Sequence, residues 1–331
     1  MHLVTIGPRR EHPRRRRIQA RQHELRAASL AAVLAVGACG GGSPSTEPVQ
    51  FESTAYPVGA AAWGVVSGDE LWVSNPAAGV VVAVDDSGTI VREVATGASD
   101  PREAGLAMAG NRLWVANLGG SVGVLNTDTG EPVGRIEVGP GEPAAVAVGD
   151  RYAWVPLHGP GGGLAKIDAA RLEVVARVEL PESAFDVALA AGSVWVAGLD
   201  RRVFEIDAAT AQVRRTIEVG AAPRGIASMG DAVWVTLRDD QEVVRIDARE
   251  GTITDRVALD GSPWPIAATD GAVWVADLDG NVTRIDAETN EVTGNASADP
   301  QPRDIAIRRD AVWITSQTGR LTRVTLQRSK P

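Results

Sequence analysis

The 331-residue chain carries a formal net charge of −9, one cysteine and 36 glycines, and only 4% of it is aromatic. A single cysteine excludes an intrachain disulfide, so stability has to come from packing. The charge is uneven: residues 1–38 hold eight Arg and two Glu, leaving 25 basic and 40 acidic residues, a formal −15, on the remainder. That remainder lacks the broad basic footprint of a nucleic-acid or anionic-membrane binder.

The N-terminus reads as an address. A basic segment with the run Arg14–Arg17 precedes the apolar stretch Ala27–Val36, which is too short to span a bilayer as a helix. Small residues follow, and Val36-Gly37-Ala38-Cys39 resembles the bacterial lipobox. The resemblance implies cleavage before Cys39 and a diacylglycerol on its sulfur. An ordinary secretory signal with an incidental cysteine is the competing reading, and the long basic segment also allows a start codon downstream of Met1. Residues 1–38 are therefore expected to be a lipoprotein signal peptide. Residues 39–48, with the run GGGSPSTEP after Cys39, are expected to be a flexible linker behind the lipidated cysteine. The expected location is the extracytoplasmic side of a bacterial envelope, held by a membrane anchor.

Residues 49–331 are expected to form one folded domain, because a single phrase repeats through it. Trp72, Trp114, Trp154, Trp195, Trp234, Trp274 and Trp313 follow one another at intervals of 42, 40, 41, 39, 40 and 39 residues. Each lies in the middle of three short apolar runs separated by turn residues. A period of about 40 residues with several strands per unit predicts a β-propeller. The expectation is an all-β fold of seven four-stranded antiparallel blades. One large flat side chain at one repeat position suits packing of blade face on blade face, at roughly 200 Å² buried per Trp.

Within each unit, strand A follows a Pro-containing entry, strand B holds the Val-Trp-Val run, strand C ends in Ile-Asp and strand D ends in Val-Gly. The C strands end in Asp85, Asn126, Asp168, Asp207, Asp247 and Asp286, with Thr325 in the last unit. A short acceptor there closes an Asx-type turn into strand D. A metal ring is the weaker reading, since such turns would lie far apart. The last unit, from Pro302 to about Leu326, supplies only strands A to C. Val49–Gly59 ends in Val-Gly as the D strands do, so it is expected to pair beside Leu321–Leu326 and close the ring. Pro57 is acceptable on an outermost strand.

The repeated phrase, clearest in Ile217–Asp247, resembles the YVTN or YncE-like propeller repeats of secreted bacterial proteins and covers Val49–Leu326. The resemblance implies a central channel with ligand contacts at its mouth. More distant are the virginiamycin B lyase-like propellers, magnesium-dependent enzymes that use His and Glu there. The four His here are His2, His12, His23 and His158, and three of them precede Cys39. A two-His set is therefore out of reach of the mature domain. Gluconolactonase-like propellers hold a divalent ion in a carboxylate and amide cage, which no spacing in this chain identifies.

The repeats disagree at the start of strand A, where Trp63, Ala104, Ala144, Phe185, Arg224, Trp264 and Arg303 share one position. Gly64, Gly105, Ala145, Asp186, Gly225, Pro265 and Asp304 share the next. Trp63 and Trp264 are the two tryptophans outside the repeat register. Aromatic faces beside guanidinium groups suit planar, anionic or sugar-like ligands. Asp186 and Asp304 are available to pair those arginines or a ligand cation, and ion pairs that merely satisfy a narrow wet channel are the structural reading. The B–C loops add Asn75, Asn117, His158, Arg238, Asp239 and Asp277. His158, in the loop Leu157–Gly163, is a candidate ligand or acid/base group, although a loop His is more often idle. Asp277–Asn281 reads as an Asp-Gly turn more readily than as a calcium loop.

No catalytic set is assembled. The expectation is a monomeric, non-catalytic binding lipoprotein without a cofactor. Its ligand would be a small molecule, a cell-envelope component or a protein, and not nucleic acid. The alternative is a metal-dependent lyase or lactonase, which would need a divalent Ca or Mg near residues such as Asp186, Asp304, Asn117 and Asp277.

Overall fold

A computed structural model describes residues 49–327 apart from 97–104, 118, 182 and 270. The expectations for Cys39 and the segments around it, and the place of Ala104, lie outside the described residues. Every regular element among the described residues is a strand, and the strands form seven antiparallel sheets arranged as a β-propeller.

Blade five shows the plan. Strand A is Pro223–Met229, B is Ala232–Leu237, C is Glu242–Asp247 and D is Thr252–Ala258, each paired with the one before it. Strand B is buried throughout, whereas D alternates between exposed and covered residues. That gradient follows from position, since inner strands are covered on both faces and the outermost strand borders solvent. Blade three departs slightly. Its innermost strand is split into Glu142–Pro143 and Ala147–Val148, both paired with Tyr152–His158.

Among the described residues, seven buried apolar clusters hold the ring together, one at each blade junction. Trp234 of blade five packs with Ile266, Val273 and Val275 of blade six. Trp195 packs in the same way on blade five, and Trp313 of blade seven packs on Val65 and Val73 of blade one. The repeat tryptophans are thus the wedges between blades, and none exposes more than 7% of its surface.

Cations lace the same junctions further out. Arg112 donates to Ala169 O at 2.8 Å, and Arg215 to Arg249 O at 3.0 Å, each in the next blade's C–D turn. Lys166, only 4% exposed, donates to Ala208 O and Ala209 O at 2.7 and 2.9 Å and lies 3.9 Å over the Tyr152 ring. Burial lowers its pKa. Sequence reading did not foresee this lacing, because these residues occupy different repeat positions.

The C–D turns close as expected. The Asp247 carboxylate accepts from Arg249 N and Glu250 N at 2.8 and 2.9 Å, and Asp85, Asn126, Asp168, Asp207 and Asp286 do the same in their own turns.

The ring closes through the N-terminal strand. Phe51–Pro57 runs antiparallel to Arg320–Leu326, from Phe51 opposite Leu326 to Pro57 opposite Arg320, and completes blade seven. Val49 forms a parallel bridge to Gly294 of blade six, and Phe51 sets its ring edge-on to Trp274 at 5.0 Å. Gly294 permits this approach, since a Cβ there would fall 2.6 Å from the Phe51 ring.

Candidate functional site

In blades four to seven the innermost strand breaks register at its entry. The pairing jumps from Ala184 to Asp186, from Pro223 to Ile226, from Pro263 to Ile266 and from Pro302 to Asp304. Bulges of this kind bend a strand and re-aim a side chain. They fall where Phe185, Arg224, Trp264 and Arg303 stand, so four side chains that differ between repeats leave the regular pleat at the channel entry. A cavity of about 90 Å³ lies there, and Trp63, Phe185, Asp186, Trp264, Arg303 and Asp304 are among its lining residues. Arg224 and His158 flank it rather than line it.

The aromatic and guanidinium groups form a continuous row across blades three to one. His158 meets the Phe185 ring edge-on at 6.3 Å, and Phe185 meets Trp264 at 5.8 Å. The Arg224 guanidinium lies 5.2 Å from the Phe185 centroid and 5.6 Å from that of Trp264. Arg303 lies 4.7 Å from Trp264 and 4.5 Å from Trp63. Both cations therefore share Trp264. Stacking of this kind is worth about 0.5–2 kcal/mol per pair and fixes the plane of each guanidinium. Arg303 is further oriented by donation to Gln317.

Asp186 and Asp304 brace this row. Asp186 accepts from Val187 N at 2.8 Å and, across the blade junction, from Ile226 N at 3.0 Å. Asp304 accepts from Ile305 N at 2.8 Å and from Val65 N of blade one at 2.9 Å. Their hydrogen bonds thus go to backbone N–H groups and not to the arginines. Each carboxyl touches the cavity but is otherwise enclosed by protein. Burial raises Asp186 to about 6. Burial, with repulsion from Asp186 as a lesser cause, raises Asp304 to about 7.

Hydroxyls two residues after a repeat Trp complete the frame, and sequence reading missed them. Thr236 Oγ1 accepts from Gly225 N at 2.8 Å and donates to Trp264 O at 2.9 Å. Thr315 donates to Trp63 O, and Ser74 accepts from Gly64 N at 2.7 Å. All three are buried, and the signal that marks them is a hydroxyl inside an otherwise apolar Val-Trp-Val run. Gly225 belongs to the same frame, because a Cβ there would fall 2.4 Å from Trp264 O.

The B–C loop candidates serve their own turns. Asp277 accepts from Asp279 N and Asn281 N, both at 2.9 Å, and from Asn281 Nδ2 at 2.8 Å, which makes an Asp-Gly turn. Asn117 accepts from Gly119 N at 3.1 Å, and Arg238 pairs with Asp239 at 2.9 Å. Asn75 sits against Gly59. None of them is among the lining residues of the channel cavity.

A divalent ion suits this mouth poorly. Among the described residues no three His, Cys, Asp or Glu side chains gather as a metal-binding group. The nearest cationic groups are guanidiniums, and the two cavity carboxyls already hold backbone N–H groups. The magnesium site that the lyase resemblance implies therefore does not fit these residues.

No protein-family model matches the sequence, and no curated protein matches it. Among solved structures, the chain is similar to a streptogramin B lyase over 84% of this chain and 98% of that one, with a TM-score of 0.74 and 18% identity. It is similar to the virginiamycin B lyase of Staphylococcus aureus over 84% and 100%, with a TM-score of 0.74 and 16% identity. It is also similar to the Kuenenia stuttgartiensis hydrazine synthase over 82% and 97%, with a TM-score of 0.71 and 17% identity. Identities this low establish a shared fold: the chain is a seven-bladed β-propeller similar in structure to the virginiamycin B lyase-like propellers.

Proposed function

We propose that this protein is a membrane-anchored extracytoplasmic lipoprotein whose propeller binds a planar organic anion, without catalysis, at the channel mouth. The row of alternating rings and guanidiniums from Phe185 to Trp63 supports this reading most directly. Aromatic faces take a flat ligand body, and guanidinium edges take its negative group. The Cys39 lipobox and the acidic balance of the remainder support an anchored, extracytoplasmic protein that does not bind nucleic acid. Fold likeness adds nothing to the choice of ligand, since propellers host many functions.

A flat aromatic sulfonate such as 1-naphthalenesulfonate is a suitable probe, titrated calorimetrically. The double variant Arg224→Ala/Trp264→Ala is expected to weaken binding about tenfold or more, the size of losing one to two stacked contacts, with a cooperative melt retained. Unchanged affinity would remove the site assignment. Replacing Cys39 by Ser is expected to release the protein from the membrane fraction.

The metal-dependent lyase or lactonase reading rests on the fold likeness alone. A stoichiometric divalent ion in purified protein, or a thermal shift on adding Ca²⁺ or Mg²⁺, would favour it over anion binding.

A further inference from the structure

We infer that the channel mouth is proton-linked: Asp186 and Asp304 act as positioning residues that take up protons when an anion enters, so the site binds organic anions more tightly in acidic surroundings. The inference rests on the anion-binding reading above and adds its regulation.

Asp186 directly follows Phe185, and its cross-blade bond goes to Ile226 N, two residues after Arg224. Phe185 and Arg224 are stacked partners. Asp304 directly follows Arg303, and its cross-blade bond goes to Val65 N, two residues after Trp63. Arg303 and Trp63 are likewise partners. Each carboxyl thus ties together the two blades whose mouth residues form one cation–π pair. The other blades carry Gly64, Gly105, Ala145, Gly225 or Pro265 at this position, so the two acids occur only beside those pairs.

Both carboxyls also face the cavity. At about 90 Å³ it is small beside the clefts of about 300–1,000 Å³ that enclose whole organic ligands. The flat body of a ligand therefore stays at the mouth, and only a compact group such as a sulfonate or carboxylate enters. That group comes beside two carboxyls enclosed in low dielectric. Two more negative charges there are unfavourable, and protonation removes them. With Asp186 at about 6 and Asp304 at about 7, both change state near neutrality. Beside the row, among the described residues, the charged groups include Arg224 and Arg303, with His158 facing Glu142 across blade three and the Arg238–Asp239 pair in the blade-five B–C loop. Among the residues that line the cavity, blade six supplies Trp264, Pro265 and Ile266, and blades one to three supply Trp63, Gly64, Gly105 and Ala144, none of which titrates.

The sulfonate probe keeps its charge across the range, so any proton taken up belongs to the protein. Calorimetric titration of the wild type at about pH 6.5, in two buffers of different ionisation enthalpy, is expected to show net proton uptake on binding. Affinity is expected to rise about tenfold between about pH 8 and about pH 5.5, the effect of one unit of carboxyl pKa shift on binding. Asp186→Asn/Asp304→Asn is expected to flatten this profile, whereas His158→Gln keeps it. Binding with no proton uptake and a flat profile in the wild type overturns the linkage and leaves the anion site standing. No binding at any pH overturns both. The wild-type result decides even if the double variant does not fold.

Discussion

Two sets of aspartates in this propeller each accept two backbone N–H bonds, and their pKa values shift in opposite directions. In the C–D turns, Asp247 accepts two backbone N–H bonds in solvent, and those bonds hold its pKa below the usual 3.8. Asp207 and Asp286 shift the same way, each with a further side-chain donor, Arg214 and Thr289 Oγ1 respectively. At the channel, Asp304 also accepts two backbone N–H bonds, yet burial carries it to about 7. Donor count therefore does not set the charge state. Where water solvates the rest of the carboxylate the bonds win, and where protein encloses it desolvation wins. An acidic repeat residue is scaffold at the outer turn and a titrating group at the mouth.

The sharpest way to break this contrast is Asp304→Ala, which leaves Val65 N–H and Ile305 N–H without their acceptor. The expected loss is about 3 kcal/mol at about pH 5. Because the folded pKa values of Asp304 and Asp186 lie above 3.8, the folded protein retains protons there that the unfolded chain has released. Their stabilising contribution is complete below about pH 4 and declines as pH rises through about 6 to 7. The variant's deficit should accordingly be smaller at about pH 8, and urea unfolding at the two pH values measures the difference. An equal deficit at both would show that the carboxyl does not titrate in this range.

Gly225→Ala tests the frame around the acids. Its Cβ would fall 2.4 Å from Trp264 O and 2.8 Å from Ile266 Cγ2. Overpacking of this kind is expected to cost about 1–3 kcal/mol. Gly123→Ala, whose Cβ meets nothing within 4 Å, should instead stabilise by about 0.5 kcal/mol. Thermal melts of the pair read both. The smallest effect belongs to the outer turn: Asp247→Ala should lower the urea midpoint slightly and equally between about pH 5 and about pH 8. Its penalty should disappear in acid, since a lowered carboxyl pKa gives stability that is lost as pH falls through it.

The period of the repeat tryptophans carried the blade count and the closing strand, because each blade must offer one wedge at one position and only Val49–Gly59 was left to complete blade seven. The turn aspartates were legible for a similar reason, their acceptors being local. The mouth was legible as a place, since Trp63, Phe185, Arg224, Trp264 and Arg303 break the repeat there. The work of Asp186 and Asp304 was not legible. Their second donors lie 40 and 239 residues away in sequence, on the next blade, where no local pattern points. Thr236 and Thr315 were hidden likewise, because a hydroxyl inside a buried run reads as a conservative replacement of Val or Ala.

The closing strand has a consequence for the order of the chain. Gln327 N donates to Gln50 O at 2.9 Å, one step beyond the pair Phe51 and Leu326. The two ends of the ring thus meet where blade seven would otherwise have its own C–D turn. Topologically the propeller is a closed band cut at one of seven equivalent hairpins. Joining residues 50 and 327 through a short turn and opening the Asp247–Gly251 hairpin at its exposed residues Arg249 and Glu250 instead would move the three-plus-one closure to blade five. Every strand pairing outside the two edited turns would survive except the Val49–Gly294 bridge, because ends that adjoin at the surface make a fold permutable.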